Sequence, residues 1–275
     1  MSGEVHQDRQ DVYASRLYLA DVLREPVIRA AIHALDLPSG SRGLDVGCGI
    51  GSHTLLLAEA VSPGGHVTGL DISGRLVALA RQAAERSRYK ENVSFQVGDM
   101  HQIPFRQDTF DWCWSVDCAG YAPCDPVPLV GELVRVVKPG GVVSIMAWSS
   151  EQLLPGYPRL EARLGATGPG IAPFVDGTPP AAHFLCALDW FTELGITRST
   201  AQTFVGSVQA PLNGDRRTAL VDLFQMRWSG AEAELDHQDL ELYRRLCRTD
   251  SGELILDHPG YYAFFTYTLF HGRAP

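Results

Sequence analysis

Residues 44–54 read L-D-V-G-C-G-I-G-S-H-T: an apolar run into an acid, three alternating glycines, then a helical pattern opening at Ser52 or His53. Physically this is a buried strand, a tight backbone turn and the start of a helix. Gly47, Gly49 and Gly51 let the main chain approach a ligand where a Cβ would collide. A second acid, Asp71, closes the next apolar run, H-V-T-G-L-D-I, about one βαβ unit later. A carboxylate beyond a glycine-rich turn is the arrangement by which doubly wound folds hold a ribose. These features predict a nucleoside-cofactor site.

The spacing separates the cofactors. The dinucleotide pattern G-x-G-x-x-G aims a helix at a pyrophosphate. Here Gly51 is followed by Ser52, so the third glycine of that pattern is displaced, and Asp45 stands two residues before the first glycine. A carboxylate there suits an ammonium better than a pyrophosphate. S-adenosylmethionine carries an ammonium, a carboxylate and a sulfonium, and no phosphate.

Further blocks follow: G-D-M-H-Q-I-P-F at 98–105, D-T-F-D-W-C-W-S-V-D at 108–117 and L-V-R-V-V-K-P-G-G-V-V at 133–143. With the glycine turn and Asp71, these five blocks resemble the class I S-adenosylmethionine-dependent methyltransferases in order and spacing, over roughly residues 40–148. The flavour is similar to the small-molecule branch, such as ubiquinone/menaquinone-type and sterol-type methyltransferases. The resemblance implies S-adenosyl-L-methionine as cofactor and a methyl group passed to an O, N or C atom of a small organic acceptor. It also implies roles. Gly47, Gly49 and Gly51 approach the methionine moiety through backbone atoms, and Asp45 meets its ammonium directly or through water. Asp71 accepts from the ribose hydroxyls. Ile72 and Met100 pack on the two faces of the adenine, Asp99 accepts from its exocyclic amine, and Ser115 and Val116 border the methyl group.

A general base is less legible. Asp117, Tyr121 and His183 are the catalytic candidates, with His53 and His101 behind them, and no motif specifies any of them. A lone His is more often structural. Tyr13 and Tyr18 either close over the cofactor or simply pack. The competing readings are an NAD-dependent oxidoreductase on a related fold and an adenosyl-binding scaffold without turnover.

Periodicity supplies the architecture. Helices are expected at 8–24 and 26–37, the second opening at Pro26. Strands are expected at 43–46, 66–71, 93–97, 110–116 and 142–148, with helices at about 52–61, 74–88 and 126–137 between them. Lys138-Pro139-Gly140-Gly141 stops the last of these helices. Alternating strands and helices predict a doubly wound, mostly parallel sheet of the Rossmann-like α/β class. The expected division is an N-terminal helical cap (1–41), a cofactor-binding core (42–148) and the remainder of the same domain (149–275), with helical insertions at 151–190 and 209–258. Proline density in 151–190 excludes long helices there; a short one capped by Asp189 is expected to run through Leu194. A sixth strand near 199–208 and helices at 214–228 and 237–248 follow. The resemblance implies that the aromatic run 261–270, Y-Y-A-F-F-T-Y-T-L-F, is an antiparallel seventh strand between the fifth and sixth. That composition suits a strand buried on both faces better than a substrate platform. The insertions are the candidates for substrate recognition, the alternatives being surface decoration or a homodimer contact.

A formal net charge of −9 argues against a nucleic-acid partner, since a phosphate backbone demands a basic stripe. The pairs Arg216-Arg217 and Arg244-Arg245 read as solvated helix faces. The first 15 residues are polar, and no apolar run approaches the ~18 residues of a membrane span, so a cytoplasmic protein without integral membrane association is expected. Cysteines 48, 113, 118, 124, 186 and 247 read as free thiols. They lack C-x-x-C spacing, so no metal site is expected, and Cys113 is expected in the core.

Overall fold

The computed structural model describes residues 2–120, 125–174 and 177–275, with side chains from residue 10 onward. A long helix, α1 (Ser2–Ala34), leads into β1 (Arg42–Val46), α2 (Ser52–Ala60), β2 (His66–Asp71), α3 (Gly74–Glu85), β3 (Val93–Val97) and β4 (Phe110–Val116). Then come α4 (Val127–Val136), β5 (Val137–Gln152), α5 (Pro158–Gly165), α6 (Gly168–Ile171), α7 (Ala187–Glu193) and β6 (Thr197–Gln209). The chain closes with α8 (Gly214–Trp228), α9 (His237–Cys247) and β7 (Tyr262–Arg273).

The strands form one seven-stranded sheet in the order β3-β2-β1-β4-β5-β7-β6. The first five pair in parallel, while β7 runs antiparallel between β5 and β6. This is the doubly wound, mostly parallel sheet that the alternation predicts. Helices cover both faces. On one face Trp112 and Trp114 of β4 join buried residues of α1, α2, α3 and α8; on the other Cys113 joins those of α4 and α7. Period-two alternation along β4 thus feeds both layers from one strand. Phe265 and Leu269 of β7 go to the first layer and Phe270 to the second, so most of the aromatic run is core, while Tyr262 is exposed.

Three expectations change. The two N-terminal helices are one, with Pro26 inside it. Proline removes one helical hydrogen bond, but Val27, Ile28, Ala31 and Ile32 just beyond it are all buried in the core, and that packing favours continuation over a break. The fifth strand extends beyond 142–148 at both ends, taking in Lys138–Gly141. Asp189 lies in the first turn of α7 rather than capping it, because the helix starts two residues earlier, at Ala187. Among the described residues, no helix is long and apolar enough to cross a membrane. All five described cysteines are free thiols; Cys124 lies outside the described residues.

Candidate functional site

The parallel strands end on one edge, and between β1 and β4 their connections depart to opposite sides. Open α/β sheets bind ligands in the crevice at such a switch point. The glycine turn after β1 occupies it. The N–H groups of Gly47 and Cys48 both donate to Leu70 O (2.8 and 3.0 Å), folding the turn against the end of β2. Gly47 and Gly51 lie at φ +78° and +83°. A Cβ at Gly47 would collide with Cys118 Sγ, and one at Gly51 would stand 2.9 Å from Ala80 Cβ. Neither position has room for a side chain, so the turn requires glycine at both.

Asp71 braces this turn. Its Oδ2 accepts from the Gly49 N–H at 2.9 Å and its Oδ1 from the Ser73 N–H at 2.8 Å. The carboxylate therefore links the turn to the start of α3 while staying partly accessible at the crevice. Ile72, the next residue, is 67% exposed, an unusual waste of apolar surface that an aromatic ring would cover. Met100 is half-buried against the second layer. Asp99 is exposed; its Oδ1 accepts from the His101 N–H at 2.8 Å and meets His101 Nδ1 at 3.0 Å. The first of these bonds, with the second, holds its pKa below the usual carboxylate value.

Asp45 is different. It is 1% exposed and accepts a hydrogen bond from Thr54 Oγ1 at 2.6 Å. Burial pushes its pKa up to about 7, against the lowering effect of the Thr54 bond. Neither its accessibility nor its charge suits direct contact with an ammonium. A pH dependence follows. The folded chain keeps this proton up to about pH 7, the unfolded chain only to about pH 3.9. Across that window the folded state holds a proton the unfolded state has lost, so stability from this group falls as pH rises. Asp45→Asn removes the titration, so the variant should gain on the wild type by up to ~1.4 kcal/mol per pH unit between about pH 5 and 7 in urea unfolding. Parallel pH–stability curves for the two proteins would contradict this.

The end of β4 carries a second constellation. Ser115 and Val116 are buried, and the Ser115 hydroxyl donates to Val46 O at 2.9 Å, stitching β4 to β1. Asp117 follows at φ +54°. Its Oδ1 accepts from the Trp148 N–H at 3.0 Å and its Oδ2 from the Tyr267 hydroxyl at 3.0 Å. Arg24 of α1 brings Nη1 to 3.6 Å from Asp117 Oδ2, and its Nε donates to Asp21 Oδ1 at 2.8 Å. The Arg24 pKa is raised despite burial, by Tyr267, Asp21 and Asp117. His53 Nε2 lies 3.8 Å from Asp21 Oδ1. Burial, and next Arg24, pull the His53 pKa down to about 3, so the imidazole is neutral.

The sequence candidates thus fall into groups. The glycines, Asp45, Asp71, Ile72, Ser115, Val116 and Asp117 converge on the switch point, with Asp99 and Met100 after β3. His183 has a structural setting instead: its ring stacks on Phe174 and Phe184 at centroid distances of 4.6 and 4.4 Å, and its Nδ1 accepts from the Leu185 N–H at 3.2 Å. Tyr121 lies outside the described residues. Tyr13, on α1, is near enough to Asp71, Asp117 and Cys118 for them to raise its phenol pKa, after burial. Asp21, Arg24, Trp148 and Tyr267 were not expected here. Their one sequence signal is a charged pair at i, i+3 beside the apolar stripe of α1. Among the described residues, no group of three or more His, Cys, Asp or Glu is placed to hold a metal ion.

Comparison with known proteins adds a domain match. Residues 37–167 match the model of a methyltransferase domain. The match covers just under half of the chain, and what it shows is a methyltransferase domain within residues 37–167. Over 126 residues it is 33% identical to a demethylmenaquinone methyltransferase of Bacillus cereus, covering 46% of this chain and 52% of that one. Over 113 residues it is 38% identical to a 2-methyl-6-phytyl-1,4-hydroquinone methyltransferase of Synechocystis, covering 41% and 34%. The chain therefore spans about half or less of the length of these curated relatives. Among solved structures, it superposes with a TM-score of 0.60 and 19% identity on a chain of the complex between the Haloferax volcanii Trm112 methyltransferase activator and a methyltransferase, covering 98% of this chain and 96% of that one. The matched segment 37–167 includes the glycine turn, Asp71 and the β4 terminus, and α1 precedes it.

Proposed function

We propose that the protein is an S-adenosylmethionine-dependent methyltransferase acting on a small organic acceptor. The observation that carries this is the glycine turn braced by the Asp71 carboxylate at the switch point of a methyltransferase domain. The residues present fit the cofactor. The turn requires glycine at 47 and 51, Asp71 offers carboxylate oxygens beside it, and Ile72 offers uncovered apolar surface.

Electrostatics argue against a dinucleotide. Asp21, Asp71 and Asp117 lie around the turn, and Arg24 is ion-paired with Asp21 and Asp117. A pyrophosphate there would meet like charge at short range, whereas a sulfonium and an ammonium meet opposite charge. When bound, S-adenosylmethionine supplies a methyl group already activated on sulfur. The chain's part is then orientation and exclusion of water. Asp71 and the turn fix the nucleoside end, and α1 covers the crevice, with Leu17 Cδ1 beside Gly49.

In this reading Asp117 is a positioning residue, not the general base. Its two oxygens are already engaged by Trp148, Tyr267 and Arg24, so it holds the β4, β5 and β7 ends in register. His183 shapes the loop that follows. The acceptor class is apolar and ring-bearing, a reading supported by the quinone-type acceptors in the relatives' names. The protein would work in the cytoplasm, where free thiols persist. The test is an acceptor panel of hydroquinones, phenols, amines and carboxylic acids, with S-adenosylhomocysteine release as readout. Release that depends on a hydroquinone or phenol supports the reading. Release driven only by amines or acids would overturn the acceptor class.

A further inference from the structure

Asp21 and His53 carry buried polar atoms with no hydrogen-bond partner, Asp21 Oδ2 and His53 Nε2. They belong to adjacent elements, and His53 Nε2 is 3.8 Å from the other Asp21 oxygen. An unsatisfied buried carboxylate oxygen is costly, and its persistence points to a group that arrives from outside. Both atoms lie beside the glycine turn. Leu17, one helical turn before Asp21, approaches Gly49, while His53 is two residues past Gly51.

The acids around the turn differ in which of their oxygens already have a donor. Both Asp71 oxygens accept backbone N–H groups. Both Asp117 oxygens are engaged. Asp45 is buried on Thr54. Of these four, Asp21 is the one with a fully buried oxygen that lacks a donor among the described residues. Its other oxygen is held by Arg24 Nε at 2.8 Å, which fixes the carboxylate plane. His53 is neutral, so it offers Asp21 no positive charge.

We propose that Asp21 Oδ2 binds the α-ammonium of the adenosyl cofactor, the role that sequence spacing gave to Asp45. This rests on the cofactor assignment above. An ammonium supplies the donor that Asp21 lacks and a positive charge to match its carboxylate. Asp21 lies in α1, before the segment 37–167 that matches the methyltransferase domain, so the match itself assigns it no role.

Calorimetry with three ligands tests this on the intact chain: S-adenosylhomocysteine, its deaminated analogue, which keeps the carboxylate, and methylthioadenosine, which lacks the amino-acid end. Asp21→Asn preserves shape and an acceptor for Arg24 but turns the free acceptor into a donor. The expected result is a loss of S-adenosylhomocysteine affinity of ~10- to 100-fold, with methylthioadenosine unchanged within about twofold and the deaminated analogue bound equally by both proteins. Equal weakening of all three ligands, or of the two that carry the carboxylate, would overturn the assignment. So would unchanged S-adenosylhomocysteine affinity. A wild type that binds none of the three overturns the cofactor reading and this proposal together, whereas a wild type that binds all three with equal losses in the variant overturns the proposal alone.

Discussion

Asp71→Ala abolishes measurable binding of S-adenosylhomocysteine while leaving a folded protein. The carboxylate accepts two backbone N–H groups, from Gly49 at 2.9 Å and Ser73 at 2.8 Å. Alanine leaves both donors without their partner and lets the turn move away from α3. It also deletes the acceptor proposed for the ribose hydroxyls. Hydrogen bonds to a charged group contribute about 1.5–3 kcal/mol each, so losing the brace and the ribose contact together should weaken binding by at least ~100-fold. Asp71→Asn retains one acceptor and the same shape, and should fall between. Titration calorimetry on both variants, with thermal unfolding as the control for fold, measures this. Affinity within about threefold of the wild type in Asp71→Ala would show that the carboxylate is neither brace nor ligand.

The largest stability loss is expected from Arg24→Met. The guanidinium is 13% exposed, bonds Asp21 at 2.8 Å and faces Asp117 at 3.6 Å. Methionine fills much of the same volume but leaves two partly buried carboxylates without their cation, close to Asp45 and Asp71. Removing one partner of a buried ionic network costs about 3–5 kcal/mol, because the remaining charges stay desolvated. Partial exposure of Asp117, with 27% of its side chain accessible, favours the lower end of that range. Arg24→Lys keeps the charge but not the planar fork, so it should recover part of the loss. Urea unfolding of the three proteins at one pH measures the effect. A methionine variant as stable as the wild type would mean that this network adds nothing to the fold.

Much of this was legible where local backbone rules decide. The glycine alternation required a tight turn, and positive φ at Gly47, Gly49 and Gly51 bears that out. Apolar runs placed β3 at 93–97 and β4 at 110–116, the bounds observed. Pro26 misled, because a proline's local cost is visible in sequence whereas the burial of Val27, Ile28, Ala31 and Ile32 that outweighs it is not. Asp45 misled for a related reason. Its spacing from the glycines suggests a ligand contact, but its burial against Thr54 depends on how α2 packs over β1. The Arg24 network joins α1 to residues 93 and 243 positions later, a pairing set by sheet order rather than by any local pattern. Tyr267 was read as one aromatic among six; only the strand register places its hydroxyl on Asp117.

The most direct test of the cofactor assignment is titration calorimetry of the wild-type protein with S-adenosylmethionine, S-adenosylhomocysteine and NAD. The braced glycine turn and the ring of carboxylates predict that both adenosyl ligands bind and NAD does not. Binding of NAD alone, or of none of the three, would contradict that account.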